Sequence, residues 1–422
     1  MRLPDGTVKQ VNPLTGTQVW TVPGRADRPL PTSVGMHQRI DPQEWGRHCA
    51  FCELRYLETP PEKARLIIAD DGWRMVTGLS AEAVTGSRAE FRLVPNLFEI
   101  VSVDYWRINH GYRPSAATEE RRRAYLATPA GLAHVKRLRK LRGRTASWPV
   151  EPSLGVGHED GGDFFGGFHD VVIARRHFVD GAVCADELAS AGTLTTGEHR
   201  QFIAFTVAAM SAMIESNPLV KNVATFQNWL SPAGASFDHL HKQIVGLDDL
   251  GRRREQELRR LESDPNLFQN AVLAPVDRHD LWVAANEHAV AFVGIGHRYP
   301  AVEVWARRWD AAPWELTEAE LGGWADLLHA VHTATGSAVP TNEEWHYRPP
   351  GVLAPVPLRA VVKWRISTPA GFEGGTRIYI NTIDPWTMRD RLRAALAADV
   401  ERGRLDSGIT VSGGSASRVG PE

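Results

Sequence analysis

The 422 residues include 48 basic and 50 acidic side chains, and a formal charge of -2 excludes a chain that grips nucleic acid by bulk charge. With 43% apolar and 23% charged residues, the sequence can fill a large core and is not a disordered polypeptide. No window approaches the ~18 uninterrupted apolar residues of a membrane span. The opening twenty residues also lack the apolar core of a secretory signal, so a cytoplasmic protein is expected.

In chain order, residues 1–44 are expected to form an extended arm, since the opening is rich in Gly, Pro, Thr and Arg. Residues 65–76 and 91–103 predict strands: β-branched and aromatic runs bounded by turn residues. The Ala/Leu/Arg-rich stretch 115–144 predicts one or two helices, with Ser115 or Thr118 as N-cap. A Pro/Gly-rich stretch (148–167) leads to a strand at 168–176. A helix at 195–216 opens with Thr195 three residues before Glu198, the spacing of a capping box. Strands at 222–229 and 238–246 flank the loop 230–237.

The second half repeats this order. Residues 281–295 predict two strands turning at Asn286-Glu287, and a helix at 317–335 opens with Thr317 and Glu320. Strands at 358–368 and 376–383 follow, then a helix at 385–403 and a flexible tail over 404–422. The recurrence hints at an internal duplication, although the periods are uneven.

Three cysteines cannot build a disulfide framework, and two of them stand as Cys49-Ala-Phe-Cys52. That spacing lets two thiolates reach one zinc from a tight turn, with two further ligands to come from the sixteen histidines. A pair of ordinary buried cysteines reads the same way, and no strand-turn-helix context favours a redox pair. The second motif is His239-Leu-His241-Lys-Gln243. On a strand these three polar side chains share one face, ~7 Å apart at alternate positions, while Leu240 and Ile244 point into a core. The preceding loop, Ala233-Gly234-Ala235-Ser236, is of a kind whose backbone amides cradle anions, and Asn228 lies on the strand before it. A solvated strand face is the plainer reading of such a triplet taken alone.

Together, TFQNW, the small-residue loop and DHLHKQI resemble the active-site segment of the galactose-1-phosphate uridylyltransferase family, a branch of the histidine-triad superfamily. Cys49-Ala-Phe-Cys52 resembles that family's early zinc pair. His169-Asp-Val-Val-Ile-Ala-Arg-Arg-His177 resembles its strand ending in a lone histidine. Asn286-Glu287-His288 and Ala370-Gly371-Phe372-Glu373 resemble second-half segments of its nucleotide-sugar phosphorylase members. The likeness spans most of residues 45–400.

This resemblance implies a nucleotidyltransferase of carbohydrate metabolism. It would exchange a nucleoside monophosphate between a nucleotide-sugar and a sugar-1-phosphate or phosphate through a covalent nucleotidyl-histidine. His241 would be the nucleophile and Gln243 the donor to a phosphate oxygen. Asn228, Gly234, Ala235, Ser236, Asn96, Phe372 and Glu373 would bind substrate. A structural Zn2+ would sit on Cys49, Cys52, His177 and His239, with His48, His110 and His169 as competing ligands. The implied fold is α+β: two histidine-triad-like halves, each an antiparallel sheet covered by helices, forming a homodimer. The halves are expected at 45–250, with a helical insertion about 105–150, and at 265–403. A dinucleoside polyphosphate phosphorylase or hydrolase, or a non-catalytic zinc-stabilised nucleotide-binding protein, are the alternatives. Gln243 stands where hydrolytic branches carry a third histidine, which favours transfer.

The sequence also departs from the family pattern. Leu240 replaces a common proline, and Val362-Lys363-Trp364-Arg365 occupies the strand where some relatives carry a second metal-binding His-x-His. The basic runs within 115–144 and at 251–262 read as solvated helix faces, the first alternatively as an anionic-substrate entrance. No nucleic-acid or membrane partner is expected.

Overall fold

The computed structural model describes residues 1–24, 38–143 and 164–411. Expectations for the rest of the arm, for 148–163 and for 412–422 lie outside these residues. Strands β1 (Val8–Val11), β2 (Gln18–Thr21), β3 (Ala64–Ala69), β4 (Gly72–Thr77) and β5 (Phe91–Pro95) precede helices α1 (Val103–His110), α2 (Ala116–Leu126) and α3 (Pro129–Gly143). Then come β6 (His169–Ala174), α4 (Thr196–Ser216), β7 (Asn222–Trp229), β8 (His241–Leu247), α5 (Arg252–Ser263) and α6 (Ala274–Arg278). The second half contributes β9 (Trp282–Ala285), β10 (Ala289–Val293), β11 (Ala301–Ala306), α7 (Glu318–Thr335), β12 (Thr341–His346) and β13 (Arg359–Trp364). The chain then runs through α8 (Gly371–Thr376), β14 (Ile378–Asn381), α9 (Pro385–Glu401) and β15 (Thr410–Val411).

The fold is α+β, and one antiparallel sheet of twelve strands runs through it in the order β15-β9-β10-β11-β13-β12-β7-β8-β6-β5-β3-β4. The halves join where β7 pairs with β12, Asn228 opposite Asn342 and Phe226 opposite Glu344. Strand registers relate the halves about this seam. The pairs Phe91–Ala174 and His169–Val245 of the first half occupy the places of Ala289–Ala306 and Ala301–Lys363 in the second. Strands β5, β6, β7 and β8 thus correspond to β10, β11, β12 and β13, and α4 corresponds to α7. The same register sets Arg359 in the place of His241 and Val361 in the place of Gln243.

Both long helices start as their sequence predicts. Thr195 and Thr317 accept the amides of Glu198 and Glu320, whose carboxylates return to the cap amides at 2.8 Å. These helices cover one sheet face with a continuous apolar core that includes Phe202, Met210, Leu327, Val331, Leu240 and Ile244. Ser115, rather than Thr118, caps α2. None of the described helices is long and apolar enough to cross a membrane.

Three readings change. Residues 65–76 are a hairpin, with β3 and β4 turning between Ala69 and Gly72, because Asp70-Asp71-Gly72 breaks the run. Residues 1–24 are not a loose arm: β1 and β2 form a hairpin, and β2 pairs in parallel with β14 in a separate three-stranded sheet. Asn12 secures it by donating to the Ile295 carbonyl (2.9 Å), beside Gly296, where any Cβ would strike the Asn12 amide. The tail at 404–411 is likewise tied down, since Thr410–Val411 pairs with β9 and Ile409 is buried. In the last two cases the partner strand lies far away in sequence, where local composition cannot register it.

Candidate active site and metal centre

The helix-free face of the sheet in the first half carries the site. Cys49 and Cys52 lie on the turn entering a 3-10 segment at Glu53–Glu58, while His177 follows β6 and His239 precedes β8. Their ligand atoms all fall within 4.8 Å of one another. The sulfurs are 3.8 Å apart, the two Nδ1 atoms 3.2 Å apart, and Cys49 Sγ is 3.4 Å from each imidazole. Four-coordinate zinc, with bonds of ~2.3 Å to sulfur and ~2.0 Å to nitrogen, requires tetrahedral edges of about 3.3–3.8 Å. The donor set therefore fits a closed metal site with no position left for substrate.

His239 is oriented for that task. Its Nε2–H donates to the Ala174 carbonyl at 2.6 Å, which leaves the Nδ1 lone pair facing the cluster. The hydrogen bond from Cys49 holds the Cys52 thiol down to about 2, with help from the two histidines, and the same bond and burial push Cys49 up. A bound cation would deprotonate both. The competing histidines are engaged elsewhere: His110 contacts Asp248 at 2.8 Å, and His169 contacts Gln243. His48 packs its ring against His177, at 4.6 Å, and Phe178, at 5.2 Å.

Two residues beyond His239, His241 is 5% exposed. Its Nδ1–H donates to the His239 carbonyl at 2.7 Å, so Nε2 carries the lone pair. Burial lowers its pKa to about 4, which keeps the ring neutral and nucleophilic at neutral pH. The Phe51 ring of the cysteine turn lies 5.1 Å from the His241 ring, coupling the metal turn to the imidazole by packing.

Gln243 is held through its oxygen. The Ile100 amide donates to His169 Nδ1 at 3.0 Å, so the His169 proton is on Nε2 and is donated to Gln243 Oε1 at 2.9 Å. Asn96 Nδ2 adds a longer contact to the same oxygen, 3.4 Å. The amide nitrogen of Gln243 is left as the free donor. Asn228 is fixed by the same logic: Asn342 Nδ2 donates to its Oδ1 (2.7 Å) and to the Ala233 carbonyl (2.7 Å), and Arg365 donates to Asn342 Oδ1 (2.5 Å). Both amides thus present N–H groups. Replacing His169 with Leu should lower turnover about tenfold by letting Gln243 rotate, a fraction of what a lost oxyanion donor costs. Steady-state kinetics beside Gln243→Ala would measure it, and equal rates for His169→Leu and wild type would refute the role.

The remaining expected site residues separate into two groups. Gly234 takes a left-handed conformation (φ 88°) after the turn Ser231–Ala233, which turns the exposed Ser236 loop toward β8. Phe372 and Glu373 lie on α8, and the Glu373 carboxylate caps its own helix at the Ala370 amide. No hydrogen bond, ion pair or ring contact between described residues joins them to the His241 strand. Sequence reasoning missed Phe51, Asn342, Arg365 and the role of His169. Phe51 was signalled by lying between the two cysteines, and His169 by its place on a strand beside β8.

The chain is similar to a solved ADP-glucose phosphorylase from Arabidopsis thaliana with bound ADP-glucose (16% identity, TM-score 0.58, covering 92% of this chain and 98% of that one). It is also similar to a GalT-like protein from the same plant (15% identity, TM-score 0.55, 92% and 98%). At such identities the likeness is one of fold. No curated protein matches the sequence. Residues 3–419 match the family described as a domain of unknown function, DUF4921, and the chain belongs to that family.

Proposed function

We propose that this protein is a nucleotidyltransferase acting through a covalent nucleotidyl-histidine, with a nucleotide-sugar as donor and a phosphate or sugar-1-phosphate as acceptor. The observation that carries the reading is His241, whose neutral ring is pinned through Nδ1 and flanked by the donor amide of Gln243. His241 Nε2 attacks the α-phosphorus, a nitrogen–phosphorus bond forms, and the bond to the leaving phosphate oxygen breaks, releasing the sugar phosphate. An oxygen of the acceptor phosphate then attacks the same phosphorus and the nitrogen–phosphorus bond breaks, restoring His241. Gln243 and Asn228 donate to non-bridging oxygens as charge builds on them, and the Gly234–Ser236 loop holds the neighbouring phosphate. Asn96 stands beside Gln243, where a nucleoside would extend. Zinc is the metal whose chemistry matches the four donors, and its contribution is to fix the turn and strand that aim His241. A homodimer, in which Phe372 and Glu373 serve the partner's sugar site, accounts for their placement away from His241.

Intact-protein mass spectrometry after mixing with UDP-, ADP- and GDP-sugars tests the reading. A gain of one nucleoside monophosphate is expected with one of them, lost in His241→Asn. No adduct with any nucleotide-sugar, but one with a dinucleoside polyphosphate, would move the donor class. No adduct at all would leave a binding protein.

A further inference from the structure

At the seam the second half has lost the chemistry of the first. Arg359, in the place of His241, is fully buried, stacks over Phe268 (5.0 Å) and Trp305 (5.5 Å), and pairs with Glu257 of α5. The second-half site is thus filled by its own side chains. Next to it a cavity of about 580 Å3 remains open, lined by Asn228 and Asn342 from the seam strands, by Arg252, Arg253 and Arg254 of α5, and by Arg365. Its volume is in the range of small-molecule sites.

The charge in this cavity is one-sided. Its two carboxylates are already matched: Glu257 by Arg254 (3.1 Å) and Arg359, and Glu344 by Lys363 (2.5 Å) and Arg253 (3.5 Å). His346 Nε2 stands 3.8 Å from Glu344. Arg252 is exposed, and the buried Nε–H groups of Arg253 and Arg365 have no hydrogen-bond partner. Orphaned guanidinium donors from two separate elements suit an oxyanion with several acceptor positions. The cavity also shares Asn228 with the proposed reaction centre. The register that pairs Phe226 with Gln243 puts Asn228, two residues along β7, on the same sheet face as Gln243 and His241.

We propose that this seam cavity is a second anion site that seats the dianionic phosphate of the acceptor, as inorganic phosphate or as a sugar-1-phosphate, beside the nucleotidyl group on His241. This assignment rests on the transfer reading above for the word acceptor, but the anion site stands on its own geometry. It also gives a role to the basic run at 251–262, whose composition alone reads as a solvated helix face.

Isothermal titration of the full-length, metal-replete protein with inorganic phosphate, and separately with glucose-1-phosphate, at fixed ionic strength, tests it. Wild type should bind at least one of them, and Arg252→Gln/Arg253→Gln should weaken that binding about tenfold or more, the loss of roughly one charge-assisted contact. Arg259→Gln, which removes an exposed charge farther along the same helix, should stay within about twofold. Tighter binding of the ester than of inorganic phosphate identifies a sugar phosphate as the acceptor, and the reverse identifies phosphorolysis. Equal affinity of the double variant and wild type, or no binding of either anion at millimolar concentration, would overturn the proposal. Arginine-dependent phosphate binding in a protein that forms no nucleotidyl adduct would retain the anion site and reject the transfer reading.

Discussion

Cys52→Ala is expected to release one equivalent of metal and to lower the melting temperature by roughly 10 °C. Zinc bound to isolated finger peptides contributes about 10–16 kcal/mol of apparent folding free energy. Here only part of that is at stake, because β6 and β8 are held by their own ladders and by the core beneath them. What a metal there would add is a tie from the turn at Cys49–Cys52, which carries Phe51 onto His241, to the two histidines. A loss of about 3–5 kcal/mol, at ~2–4 °C per kcal/mol for mid-sized domains, gives the shift stated. Activity should fall further than stability does, because His241 donates to the carbonyl of His239, one of the four residues that would hold the metal. Metal content by elemental mass spectrometry and calorimetry would check both. A variant that keeps its metal through gel filtration and melts with the wild type would remove the ion from these four residues.

The second large effect belongs to the opposite face of the same strand. Lys242 and Glu343 are both fully buried and form an ion pair of 2.5 Å between β8 and β12. Glu343 also accepts from His332 (2.6 Å) and from the Trp345 indole. Burial by itself would raise the Glu343 carboxyl, but Lys242 and His332 outweigh it and hold the group well below the usual carboxylate range. Burial lowers the Lys242 ammonium, with Glu343 opposing. Breaking such a pair leaves one uncompensated buried charge and costs about 3–5 kcal/mol, whereas replacing both partners with apolar residues is often neutral. Glu343→Leu should therefore destabilise strongly, and Lys242→Met/Glu343→Leu should recover most of the loss. Because the Glu343 pKa is depressed on folding, its contribution is complete above the ordinary carboxylate range and disappears as pH falls through the folded value. Denaturant melts of the cycle at neutral pH would measure the coupling; additive losses would show that the pair is not a unit. The physical consequence is that the seam strand β12 and the His241 strand share a buried polar joint.

How much was legible beforehand follows from where the information is local. Thr195 with Glu198, and Thr317 with Glu320, announce their helices because capping involves residues three apart. His239, His241 and Gln243 announce a common face because strand alternation is a property of the backbone, and Cys49 with Cys52 announce a metal turn because two residues of spacing suffice. The hairpin of residues 8–21 was missed because its stabilising partner, β14, lies more than three hundred residues away. Phe372 and Glu373 carried a family likeness, but the geometry of α8 keeps Glu373 on its own cap.

The sequence by itself determined the chemistry available: thiolates and imidazoles at ligand spacing, a histidine and an amide on one strand face, and long helices to bury the other. Tertiary structure decided which histidine faces which atom. Ala174 turns His239 Nδ1 toward the thiols, Ile100 makes His169 a donor to Gln243, and Arg365 through Asn342 fixes Asn228. Tertiary structure also decided that the second half, with Arg359 where the first has His241, would close over its own site and leave a cationic cavity at the seam. The reason is that a hydrogen bond is set by distance and direction between atoms, and those come only from strands brought side by side by long-range pairing.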